Sequence, residues 1–82
     1  MKGWVITRFP DKMYGFIKGQ DGRQYFFHAS EVTEPILRNN LDFSYFVTLG
    51  MQAEFEASLG DKGPRATNVK LGIVRGQEDE TY

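Results

Sequence analysis

"YGFIKGQDGRQYFFHAS", residues 14–30, is the stretch whose reading decides the fold. Residues 14–19 and 23–28 read as two strands, and the Asp21-Gly22 pair between them is a hairpin turn signal. Successive side chains of a strand point to opposite faces. Tyr14 and Phe16 therefore share one face of the first strand, with Gly15 between them allowing close backbone packing. Phe26 and His28 share one face of the return strand. Antiparallel pairing brings the two sets together into one surface. Residues of the opposite parity, Ile17 and Phe27 with Val5 upstream, are the expected core, and Tyr25 reads either way. Because a core is already supplied, the rings of the first set are expected to be displayed.

The pattern extends in both directions. "GWVITRF" (3–9) is β-branched and aromatic and reads as a strand, and "PDK" (10–12) as a turn. The first three strands thus form an antiparallel meander. "MQAEFEASL" (51–59) alternates, with Met51, Ala53, Phe55, Ala57 and Leu59 on one side, as a half-buried strand does. "GDKGP" (60–64) is a turn and "RATNVKLGIV" (65–74) the last strand. Ser30 is the expected N-cap of a short helical turn. Residues 33–50 keep no apolar period and read as a long loop with one turn of helix. Leu41 or Phe46 is its expected anchor under the domain, with one ring left exposed. The expected architecture is all-β: one domain over 1–74, five strands closed into a barrel, a long loop between strands 3 and 4, and an acidic frayed tail over 75–82.

Bulk composition narrows the function. The chain has 82 residues, formal net charge −1, 15% aromatic residues and no cysteine. Glu78, Asp79 and Glu80 carry the acidic excess; residues 1–77 hold ten basic and eight acidic side chains. Any positive field is local, around Lys2, Arg8, Lys12, Lys18 and Arg23. Thiolate metal sites and disulfides are excluded, and a reducing cytoplasm is the simple expectation. "MKGWVITRF" lacks an apolar h-region and is not expected to be a signal peptide, and no apolar run approaches the ~18 residues of a membrane span. His28 is the single histidine, so a zinc site is not expected. His28 and Ser30 lack an orienting acid and an oxyanion motif, and "KGQDG" is a hairpin turn rather than a phosphate loop. The sequence offers no enzyme and calls for no cofactor.

"KGWV", then "YGFI", "DG", "YFFHAS", "LGMQAEFE" and "KGPRATNV", in that order from residue 2 to about 72, resemble a cold-shock domain. "YGFI" (14–17) and "YFFHAS" (25–30) match its two RNP-like motifs, and "KGPRATNV" (62–69) its last loop and strand. The resemblance implies a five-stranded OB-fold barrel that binds single-stranded RNA or DNA with low sequence specificity, as an RNA chaperone or a modulator of transcription or translation. Carried over by position, its binding residues are Tyr14, Phe16, Phe26, His28 and Lys62, with Lys12, Lys18 and Arg8 for phosphates. Bases stack on displayed rings whatever their identity, which agrees with the strand pattern.

The chain also departs from that family. Ile6, Thr7 and Arg8 stand where typical members carry lysine, tryptophan and phenylalanine. Met13 replaces a usual glycine, Ala29 a frequent phenylalanine, and loop 33–50 is longer. Trp4 and a ring of the loop, Phe43 first, with Tyr45 and Phe46 beside it, are the expected replacements for the missing stacking groups. The alternative function is a protein-interaction module on the same barrel, with a partner at loop 33–50. Exposure of strand rings would favour nucleic acid, and exposure of loop rings a protein.

Overall fold

The computed structural model describes residues 1–34 and 37–72. The expected tail 75–82, the end of the last strand and the Pro35-Ile36 part of the loop lie outside the described residues. Among the described residues six strands occur: β1 (Lys2–Phe9), β2 (Tyr14–Gly19), β3 (Gln24–His28), β4 (Val32–Glu34), β5 (Gln52–Gly60) and β6 (Gly63–Leu71). One helix, α1 (Asn40–Phe46), precedes β5. The sheet runs β3-β2-β1-β5-β6-β4, and β3 also meets β6 through the parallel pair Phe26–Arg65. Five strands thereby close a barrel of the OB type, as the sequence predicts. The three-residue β4 is an addition, laid parallel to β6 where Val32 pairs with Val69.

The β2–β3 hairpin forms because its turn is chemically tied. Asp21 accepts the Arg23 N–H (3.0 Å) and the Tyr25 hydroxyl (2.6 Å). The Tyr25 hydrogen bond, ahead of the Arg23 N–H, holds the Asp21 carboxyl below its usual range, and Asp21 in turn raises the Tyr25 phenol. Tyr25 is buried, so its hydroxyl needs this partner, and the ambiguous position resolves to core. The interior holds Val5, Ile17, Tyr25, Phe27, Phe55, Ala66 and Val69 from the strands. Gly15 has a packing reason: a Cβ there would stand 2.5 Å from the Thr7 carbonyl oxygen and 3.0 Å from Phe27 Cε1.

Four local expectations change. The turn after β3, a 3₁₀ turn over Ala29–Glu31, is capped by His28 rather than Ser30: His28 Nδ1 accepts the Ser30 N–H at 3.0 Å. The loop holds a seven-residue helix, capped by Asn39, whose Oδ1 accepts from Leu41 and Asp42 N–H. Its anchors are Phe43 and Val47, four residues apart on one face; Leu41 and Phe46 are exposed. Phe43 stacks on Phe27 with centroids 6.2 Å apart and planes at 13°. Finally, Ala57 and Leu59 are exposed although the alternation of 51–59 turns them inward. A bulge at Asn68, whose left-handed φ of 49° suits asparagine, shifts the β5–β6 register between Glu54 and Glu56; beyond it Ala66 of β6 is still buried, but its partner Ala57 is not.

Candidate nucleic-acid interface

The outer face of β1, β2 and β3 is a grid set by strand register. Its first row is Trp4, Lys18, Gln24; its second is Thr7, Phe16, Phe26; its third is Phe9, Tyr14, His28. A bulge makes this arrangement. The β1–β2 register shifts between Val5 and Thr7, so Ile6 is an extra residue and parity changes beyond it. Trp4 still faces outward, opposite Lys18, and is 43% exposed. Thr7 then occupies the middle row beside Phe16, and Phe9 the last row beside Tyr14.

The rings of the lower rows touch. Tyr14 lies 5.2 Å from Phe9 and 5.2 Å from Phe26, centroid to centroid, and Phe16 lies 5.9 Å from Phe26. Their planes are tilted or edge-on to one another, so they form a corrugated surface rather than a stack. Tyr14, Phe16, Phe26 and His28 are half-buried, and Phe9 is 41% exposed. Edge packing fixes the rings while leaving ring surface to solvent, which is what a stacking platform requires. His28 Nδ1 is occupied by the Ser30 N–H and lies 3.1 Å from Ser30 Oγ. In the neutral ring this hydrogen-bond pattern puts the proton on Nε2, as a donor.

Cations border the grid. Lys18 is in its first row and Lys12 in the turn beside its last. Exposed Lys62 of the β5–β6 turn and Arg65 of β6 share an open cleft of about 540 Å³ with Tyr14 and Phe26. The Arg65 guanidinium sits over the Phe26 ring, 5.6 Å from its centroid. That contact extends the middle row across the barrel closure.

Eight of the ten candidate residues stand in or around this surface: Trp4, Lys12, Tyr14, Phe16, Lys18, Phe26, His28 and Lys62. Two do not. Phe43 is fully buried against Phe27, because the helix needs an apolar anchor at that position. Arg8 lies opposite Gly15, on the other side of β1 from the rings, and its Nη1 donates to the Ser44 carbonyl at 3.1 Å. It ties β1 to α1. Trp4 shares the outer face but makes no close ring pair with the cluster among the described residues. Tyr45, 76% exposed, and Phe46 form their own edge-to-face pair at 4.8 Å on α1.

Two residues of the surface escaped sequence reasoning. Phe9 was hidden by the bulge, since strict alternation from Val5 turns it inward. Arg65 sits within the quoted "KGPRATNV", but only the non-local β3–β6 pairing brings it to Phe26. Among the described residues, no group of three or more His, Cys, Asp or Glu could hold a metal ion, and no helix is long and apolar enough to cross a membrane.

The comparisons with known proteins agree with this geometry. A family model, the 'Cold-shock' DNA-binding domain, matches residues 1–71. Cold shock protein 2 of Lactiplantibacillus plantarum is 37% identical over 73 residues, which cover 85% of this chain and 97% of that protein. Cold shock protein 1 of the same organism is 38% identical over 72 residues, 84% of this chain and 96% of that protein.

Proposed function

The chain belongs to the cold-shock domain family, a nucleic-acid-binding family, and on that premise we propose that it binds single-stranded RNA or DNA through the β1–β3 grid. The observation that carries the reading is the contiguous set Phe9, Tyr14, Phe16 and Phe26, with mutual ring contacts and solvent-facing surface. Unpaired bases stack on such rings at about 1–3 kcal/mol each, with little regard to base identity. Lys12, Lys18 and Lys62 neutralise phosphates, and His28 Nε2 donates to a base edge. Stacking on this scale is comparable with the ~1.4 kcal/mol of an average DNA base-pair step. The platform therefore tips weak hairpins open and leaves long duplexes closed, which is RNA-chaperone behaviour. No catalytic role is assigned to any residue.

The test is fluorescence anisotropy with labelled oligothymidine and oligouridine at two salt concentrations. The reading expects micromolar or tighter affinity that weakens with salt. Each phosphate contact contributes a slope of about −0.7, so three lysines allow no slope steeper than about −2. Absence of binding to both strands at low salt would overturn it. A second reading, a protein partner at loop 33–50, rests on the exposure of Leu41 (77%), Tyr45 and Leu49 (62%) on and after α1. Pull-down of a partner that Tyr45→Ser with Leu49→Ser abolishes, together with failed strand binding, would favour that one.

A further inference from the structure

The grid reads bases by their faces, but the cleft at its edge holds groups suited to reading a base by its edges. Tyr14 and Phe26 form one wall, and the β5–β6 turn with Asp61 and the β6 residue Arg65 forms the other. Arg65 is held on both sides. A Cβ built on Gly60 would lie 3.5 Å from Arg65 Cδ, so the stem packs close over the Gly60 backbone. The guanidinium at its far end rests over Phe26. Among the described residues, its N–H donors meet no protein acceptor. The fork is thus placed at the level where a stacked base lies, with its donors open to solvent.

From this juxtaposition we propose that the cleft is a guanine-selective subsite, a statement that rests on the nucleic-acid reading above. Arginine's planar fork matches the O6 and N7 acceptors of guanine, a bidentate pairing. Thymine and uracil offer no two adjacent acceptors, and adenine presents a donor beside its N7. Guanine also carries donors, N1–H and the N2 amino group, for which Asp61 supplies an acceptor in the same cleft. A phosphate suits the cleft less well, because the Asp61 carboxylate would repel it. Lys62, on the exposed turn, is the better phosphate partner. The platform remains sequence-tolerant, with one position that prefers guanine.

The experiment compares heptamers of thymidine carrying a single central guanine, 7-deazaguanine or adenine with the all-thymidine strand. Binding is measured by anisotropy for the wild type, Arg65→Gln, Arg65→Lys and Asp61→Asn. The wild type is expected to bind the guanine strand about fivefold or more tighter than all-thymidine, the lower end of what one bidentate pair discriminates. 7-Deazaguanine, which lacks N7, should lose most of that ratio, and adenine should not show it. Arg65→Gln and Arg65→Lys should bring the ratio close to one, the second while keeping the charge. Asp61→Asn should lower it. A wild-type ratio near one would overturn the proposal and leave the platform standing. So would a ratio that survives in Arg65→Gln, or a uniform loss across all strands with the salt slope falling by about 0.7, the mark of a phosphate contact. Failure of every strand to bind would overturn both this subsite and the nucleic-acid reading.

Discussion

Thr7 is the gap in the grid, and filling it tests the platform by gain rather than loss. It stands in the middle row, opposite Phe16, in a row that already continues to Phe26 and the Arg65 guanidinium. Thr7→Trp lengthens that row from two rings to three. One further stacked base is worth about 1–3 kcal/mol. That corresponds to roughly 5- to 150-fold tighter binding at tenfold per 1.4 kcal/mol. Thr7 is half-buried and outward-facing, and tryptophan is at home in strands, so the fold should tolerate the change. The assay is anisotropy with labelled oligothymidine, alongside a thermal melt. Thr48→Trp, on an exposed loop position away from the grid, controls for the general stickiness of an added indole. Unchanged affinity in a folded Thr7→Trp protein, or equal tightening in both variants, would refute the assignment of the middle row to base stacking.

Three other substitutions address parts of the same account. Phe43→Ala removes a fully buried ring stacked on Phe27 and should cost about 3–5 kcal/mol, as large-to-small core changes do. Total stability for 82 residues is only about 4–12 kcal/mol, so chemical denaturation should show a severe loss, whereas exposed Tyr45→Ala should change little. Gly15→Ala puts a Cβ against the Thr7 carbonyl and Phe27. A lowered melting temperature and weaker oligonucleotide binding are both expected, because Tyr14 and Phe16 move with the displaced backbone. The Asp21–Tyr25 bond has a defined pH window. The folded Asp21 value is depressed, so its contribution is present above the usual carboxylate range and is lost as pH falls through the depressed value. The folded Tyr25 value is raised, so its share is present below about pH 10 and is lost as pH rises through the raised value. The melting-temperature gap between wild type and Tyr25→Phe should therefore be widest near neutral pH and close at both extremes; a pH-independent gap would contradict this.

What was legible in the sequence is what local chemistry determines. The β2 span, the Asp21-Gly22 turn and the outward set Tyr14, Phe16, Phe26 and His28 all follow from period-two alternation and turn residues. Alternation failed where strands are not regular. Ile6 is apolar on either face, so nothing in "GWVITRF" marks the bulge that turns Phe9 outward. Ala57 and Leu59 continue an apolar pattern past the β5–β6 register shift, where β6 still reaches the core through Ala66 but β5 does not. The helix in loop 33–50 was under-read because only Phe43 and Val47 face inward, one turn apart, with apolar Leu41, Tyr45 and Phe46 on the exposed sides. Burial of Phe43 and the approach of Arg65 to Phe26 depend on non-local packing, which a single sequence does not display.

The most direct test of the central claim is a residue-resolved map of the bound surface. A ¹⁵N- and aromatic-¹³C-labelled protein is titrated with unlabelled oligothymidine and followed by NMR. The account predicts the largest shifts at Phe9, Tyr14, Phe16, Phe26 and His28 and along Lys62–Arg65, with Phe43 and Phe27 nearly still. Shifts centred on Leu41–Leu49, or no shifts at all at saturating strand, would contradict it.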